Sequence, residues 1–450
     1  MARTGLLAQL GAADLAPAIA EGQHTSEQAV EACLARISEV DPQVEAWAFL
    51  DPDFAREQAR RADRHRGSGR PLGPLHGVPV GLKDIIDTRA MPTENGTVLD
   101  AGRRSGRDAA IVTRLKAAGA VLLGKTVTTE LAYYAPSKTR NPHDPARTPG
   151  GSSSGSAAAV ASGMVPLAVG TQTNGSVIRP ASFCGVVGYK PSFGLIPRTG
   201  ILAQSWPLDT VGVFGRSVAD TALLAECLIG DDAGDGATAP IAAQGLPAAA
   251  AAEPPLPPLF AFVRSPVWEQ AAADTKEALA ELVDALGGQC DSVDLPEPFE
   301  RGHAVHATLM TAGFSRNLGG YYNRGRDQLS EHMRRAIEDG RKVLAHDYLA
   351  AVDWIEVLNA GLERVFERFD AILTPAAPGE APQGLGSTGN PAFCTLWTLC
   401  GTPAVTLPLL QGAGGMPLGV QLVGRRGYDA RLLRTASWLT SFVGRTAGAA

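Results

Sequence analysis

The run GGSSSGSAAAVASGMVPLAVGTQTNGSVIRPASFCGVVGYKP, residues 150–191, is the densest stretch of glycine and small hydroxyl residues in the chain, and it contains no acidic residue. Two turns stand out within it. Gly150 to Ser156 is a Gly/Ser cluster leading into an alanine-rich run that reads as a helix. Thr171 to Ser176 is a second small-residue turn, placed after a short strand at 166–169. Glycine in such turns lets main-chain N–H groups face inward and approach a ligand. A serine beside those groups is a candidate nucleophile with a ready oxyanion site. The same clusters would also serve as plain connections in an Ala/Gly-rich protein, so the chemistry has to be sought elsewhere in the chain.

Working outward, helical and extended patterns alternate. Thr25-Ser26-Glu27-Gln28 opens a helix with a capping-box pattern. A charged helix follows at about 54–66. Residues 77–82 read as a buried extended segment that delivers Lys83 and Asp84. Helix 109–118 stops at Gly119 and strand 120–123 follows. Ser217 caps a helix through Leu228. Further strands fall at 259–263, 370–375, 403–409 and 418–423, and a closing helix at 429–442. This alternation predicts an α/β fold: one large domain, 1–450, with a mixed, mostly parallel twisted sheet covered by helices. Residues 231–258 are rich in Ala, Pro and Gly and read as a loop or linker, and 300–368 as a helical cap.

The 450 residues, 45% of them hydrophobic, suit a sizeable core. A formal charge of −6 and the absence of a basic stripe argue against a nucleic-acid partner. Six scattered cysteines without a CxxC pair read as free thiols in a reducing compartment. The N-terminal stretch 1–16 has too short an apolar core for a secretory signal, and no apolar run reaches the length of a bilayer span. The expectation is a cytoplasmic protein without a membrane partner. No Cys/His/Asp cluster has metal-ligand spacing, so neither metal nor other cofactor is expected.

Three motif matches fail on context. Gly119 to Thr126 fits a phosphate-binding loop, but its variable positions are Ala, Val, Leu and Leu, which favour a strand after a helix C-cap. Gly151 to Gly155 fits G-x-S-x-G, but three prolines upstream preclude the strand such an elbow needs. Gly384 to Gly389 fits a dinucleotide fingerprint with loop, not strand, before it. A serine nucleophile also needs a proton acceptor. The eight histidines lie mostly on charged helices or in polar loops, and none is singled out. Lys83 follows an apolar segment. A lysine delivered into a dry site loses proton affinity and can act as a base, although a lysine at a strand end can equally reach solvent.

The segments GVPVGLKDIID (77–87), GAVLLGKT (119–126), NPHDPARTPGGSSSGSAAAVASG (141–163), GTQTNGSVIRPASFCGVVGYKP (170–191), DAILTP (370–375) and CGTPAVTLP (400–408) together resemble the amidase signature family of serine hydrolases. The likeness is most specific over 77–191. It implies a Ser–cis-Ser–Lys unit: Lys83 as base, Ser152 as relay at a cis peptide, and Ser176, 24 positions later, as nucleophile. It further implies an oxyanion hole from the N–H groups of Thr173, Asn174, Gly175 and Ser176, with Ser153 as a supporting hydrogen-bond partner. Three positions depart from the family pattern: Gln172 stands for the common Asp, Asn174 for Gly, and Arg179 lies three rather than two residues after Ser176.

The expected activity is hydrolysis of amide-type C–N bonds, in carboxamides, anilides, carbamates or related esters, through an acyl-enzyme. Tyr133, Tyr134, Trp206, Phe393 and Trp397 are the aromatic candidates for a substrate cleft around a small, uncharged molecule. The chain is expected to be a monomer or homodimer. Two alternatives stand beside this one: an amidotransferase A-type subunit working with a partner, and a nucleotide-binding protein using Gly119 to Thr126.

Overall fold

In the apolar run 78–82, Val78, Val80 and Leu82 alternate with Pro79 and Gly81, so in an extended segment their side chains share one face, and all three are fully buried in one apolar core. In the computed structural model, which describes residues 7–447 with side chains to Arg445, this run lies in an eleven-stranded sheet. Part of the 1–16 stretch lies outside the described residues. The strands are β1 (Trp47–Leu50), β2 (Pro79–Lys83), β3 (Val121–Thr126), β4 (Leu167–Gln172), β5 (Val187–Lys190), β6 (Thr210–Gly215), β7 (Phe260–Val263), β8 (Cys290–Val293), β9 (Ala371–Pro375), β10 (Ala404–Gln411) and β11 (Pro417–Val423). Their order is β1-β3-β2-β4-β6-β5-β10-β11-β9-β7-β8.

The sheet is mixed, but the expectation of mostly parallel pairing needs correction. β2 pairs in parallel with β3 and β4, and β7 with β8 and β9. The other six junctions, including the whole centre from β4 to β9, are antiparallel. The β10–β11 hairpin inserts between β5 and β9 and reverses direction there, so one continuous α/β domain spans both halves of the chain.

Helices α1 (Ala12–Ala20), α2 (Ser26–Val44), α3 (Pro52–Gly67), α4 (Ala110–Ala117), α5 (Ser154–Ala161), α6 (Ile178–Cys184), α7 (Val218–Leu228), α8 (Leu246–Ala251) and α9 (Ala273–Leu286) come first along the chain. The capping boxes at Thr25/Gln28 and Ser217/Asp220 are both formed. Gly119 has φ +83°, the left-handed conformation that ends α4 and turns the chain into β3. The supposed linker 231–258 is partly ordered: α8 buries Leu246 and Ala250, and Asp235 pairs with Arg198. Its short apolar contacts carry too little periodicity to show in the sequence.

The helical block is α10 (Gly302–Gly325), α11 (Glu331–Gly340) and α12 (Ala345–Phe366). These form a second apolar core with α13 (Ala392–Leu399) over one end of the sheet. Helix α14 (Asp429–Ala447) closes the chain. No described helix is long and apolar enough to cross a membrane. The six cysteines form no disulfide, and no group of three metal-ligating side chains occurs among the described residues.

Candidate active site

β2 ends at Lys83, and the side chain there is fully enclosed. Its Nζ lies 2.7 Å from Ser152 Oγ and 2.9 Å from Thr171 Oγ1. No carboxylate touches it among the described residues. Burial pushes the amine well below the usual 10.5, against the opposing pull of the Asp209 charge. The lysine of the refused phosphate-loop match behaves differently. Lys125 Nζ is taken up by Asp84, the Pro92 carbonyl and Thr93, inside a strand.

Ser152 stands just before α5. The Gly151–Ser152 peptide is cis. The Gly151 carbonyl accepts a 2.6 Å hydrogen bond from Arg179, which also donates to the Gly389 carbonyl and to Thr388. Ser154 Oγ donates to the Gly150 carbonyl, and Ser153 Oγ bonds the Thr171 main chain. The Gly/Ser cluster is thus tied to β4 and α6, the two elements that flank the second turn.

That second turn joins β4 to α6. Gln172 braces the start of α6: its Oε1 accepts from the N–H groups of Val177 and Ile178 at 2.9 and 3.1 Å. Its Nε2 donates to Thr398. Asn174 Oδ1 accepts from Thr395, and its side chain is also bonded to Tyr134. Its carbonyl accepts from Thr398. Gly175 has no room for a side chain, since a Cβ there would lie 2.8 Å from Pro391. The N–H groups of Asn174, Gly175 and Ser176 meet no acceptor among the described residues. Thr173 is held from two sides. Its hydroxyl donates to Asp209 at 2.6 Å, and its carbonyl lies 2.9 Å from His306 Nε2. Burial lowers His306 to about 4, so the ring is neutral and Nε2–H is the donor.

Ser152, Thr173, Asn174, Gly175 and Ser176 line one small pocket. Ala132, Tyr133, Tyr134, Arg179, Gln204, Met310, Phe314 and Pro391 complete its wall. Lys83 lies behind Ser152. Free N–H groups beside a hydroxyl, backed by a second hydroxyl and an amine of lowered proton affinity, form a constellation suited to acyl transfer.

Of the aromatic candidates, Tyr133 and Tyr134 face this cavity. Trp206 lines a neighbouring one that shares Thr173 and Gln204 with it. Phe393 and Trp397 do not face it, and their placement at the cleft is corrected. They lie one turn apart on the core face of α13, while Thr395 and Thr398 on another face reach the turn. Thr171, Asp209, Gln204, His306, Met310 and Phe314 were not anticipated. For three of them a signal existed. His306, Met310 and Phe314 are spaced by four and share one stripe of α10, the stripe that covers the site.

The amidase family's sequence profile matches residues 28–433. The A subunit of glutamyl-tRNA(Gln) amidotransferase from Chloroflexus aurantiacus is 35% identical, with 93% of each chain aligned. Among solved structures, a protein from a vestigial complex bearing on the origins of an s-triazine catabolic enzyme superposes with TM-score 0.89 at 28% identity, covering 96% of this chain and 98% of that one. The peptide amidase of Stenotrophomonas maltophilia superposes with TM-score 0.84 at 29% identity, covering 97% of both. With a profile match across most of its length and a sheet that superposes on solved amidases, the chain belongs to the amidase signature family.

Proposed function

We propose that this protein hydrolyses an amide-type C–N bond of a small molecule through a serine-bound acyl intermediate. The observation that carries the reading is the 2.7 Å contact between a fully buried, proton-poor Lys83 and Ser152, on the wall of the cavity that holds Ser176. Ser176 Oγ attacks the carbonyl carbon and passes its proton to Ser152, which passes its own to Lys83. The negative oxygen is received by the N–H groups of the 173–176 turn. As the C–N bond breaks, the relay returns a proton to the departing nitrogen, without which an amine leaves poorly. Water then cleaves the Ser176 ester by the same relay in reverse, releasing the acid. Tyr133, Tyr134, Met310 and Phe314 favour an acyl or leaving group with an apolar, ring-like part.

A panel of p-nitroanilide, primary amide, carbamate and ester substrates tests this, with Ser176→Ala beside the parent. Turnover of at least one amide that vanishes in Ser176→Ala is the expected result. Retention of half the activity by the variant overturns the nucleophile assignment. A second reading, an amidotransferase A-type subunit, is favoured by the likeness to such subunits along 93% of the chain. Its mark would be ammonia release from glutamine only when a second protein is added.

A further inference from the structure

Asp209 belongs to no motif discussed above, yet it meets the site twice. Its Oδ1 accepts the Thr173 hydroxyl at 2.6 Å, and its Oδ2 accepts the N–H groups of Gln204 and Ser205 at 2.9 and 3.0 Å. Burial raises the carboxyl above its usual 3.8, and the three donors together with the nearby Arg198 charge oppose that rise and favour the carboxylate. Asp209, Thr173 and Thr171 line one cavity, and Thr171 is the second partner of Lys83 Nζ. We propose that Asp209 is a positioning residue of the reaction: it fixes the first residue of the N–H-lined turn through Thr173, and it is the negative charge that Lys83 faces. The proposal rests on the assignment of Lys83 and Ser176 made above.

The other charged groups nearby are accounted for. Arg198 spends its Nε and one NH2 group on Asp235, and its remaining group on the Trp206 and Asp209 carbonyls. Asp84 and Lys125 satisfy each other beyond β2. His306 is neutral on the far side of Thr173. Asp209 is therefore the one acidic side chain whose charge bears on Lys83 among the described residues. A negative charge favours the protonated amine, so Asp209 restrains the loss of proton affinity that burial imposes. This leaves Lys83 a stronger base than burial alone would make it.

The test is the pH dependence of kcat/KM and kcat in Asp209→Asn and Thr173→Val. Asparagine keeps the geometry, because its oxygen can accept the two main-chain N–H groups and its amide can donate to Thr173. Only the charge is lost. The acidic limb of the profile should move to lower pH by about one unit. Thr173→Val keeps the charge and loses the tether, so kcat should fall about tenfold with KM held and the limb unmoved. A limb that stays in place in a folded Asp209→Asn overturns the electrostatic half, and an unchanged kcat in Thr173→Val overturns the positioning half. Should Asp209→Asn fail to fold, Thr173→Val decides the positioning half, and Asp209→Ser, which also removes the charge, is read for the shift of the limb, an unmoved limb again overturning the electrostatic half. Ser176→Ala run in parallel separates the cases: if it still turns over, the underlying assignment has failed instead.

Discussion

Lys83 has two hydroxyl partners and no carboxylate contact among the described residues, and burial lowers its proton affinity. The cost appears in stability. Burial lowers its proton affinity in the native state, while the unfolded chain retains the usual 10.5. The penalty is present in full below the lowered value and fades as pH rises toward 10.5, where both states are neutral. Lys83→Met should therefore abolish turnover while raising the denaturant midpoint, with a gain that shrinks as pH approaches 10.5. Chemical denaturation at several pH values checks this, and a gain independent of pH would contradict it. Gln172→Ala removes the acceptor of two N–H groups at the start of α6 and should cost about 1–3 kcal/mol. It should also lower kcat, because Ser176 lies within the span that this amide braces. At this scale the sequence was informative where chemistry restricts residue type. Ser152 and Ser176 sit in glycine-rich turns and Lys83 at the end of a buried strand, the settings their residue types suggested. Phe393 and Trp397 were misplaced because a core aromatic and a cleft aromatic have the same composition. Only the face of α13 they occupy separates them, and that face is set by packing from distant parts of the chain.

Helix α10 is the element that joins the cap to the site. His306 donates to the Thr173 carbonyl, and Met310 and Phe314 roof the cavity one and two turns further on. Phe314 is fully buried and meets Tyr133 edge-on, with ring centroids 4.6 Å apart. Phe314→Ala should cost about 3–5 kcal/mol. It should raise KM for ring-bearing substrates more than for a small primary amide. Paired denaturation and kinetic measurements check both, and an equal KM change for the two substrates would remove Phe314 from the substrate-contacting wall. Element positions were largely legible. The apolar runs at 77–82, 259–263, 370–375 and 418–423 are strands within a residue or two. Strand direction was not. It depends on where β10 and β11 insert between segments more than 150 residues distant in sequence, which no local pattern encodes. Strand β8 escaped notice because its side chains are largely exposed and its sequence, Cys-Asp-Ser-Val, lacks an apolar face.

Across the whole molecule, the site gathers residues from Lys83 to Thr398, and the sheet that carries them is continuous. Loss of activity and loss of far-UV circular dichroism should then share one midpoint in urea. A separate, earlier loss of activity would show the cap detaching from the sheet. Acid should act through Asp235. Burial alone would raise its pKa, but hydrogen bonds and charge from Arg198, with main-chain donors, hold it below 3.8. Its contribution is present above 3.8 and disappears as pH falls through the lowered native value, so Asp235→Asn should flatten the acid limb of a stability profile below pH 4. The order of strands also governs how copies of the chain treat one another. Both rims of this open sheet are short: β1 has four residues and a register shift at Trp47/Phe49, and β8 has four, with Asp291 engaged by Arg368. Neither offers the long, flat, uncharged margin on which a foreign strand could template, so the native form is guarded against edge-to-edge aggregation without needing to close into a barrel.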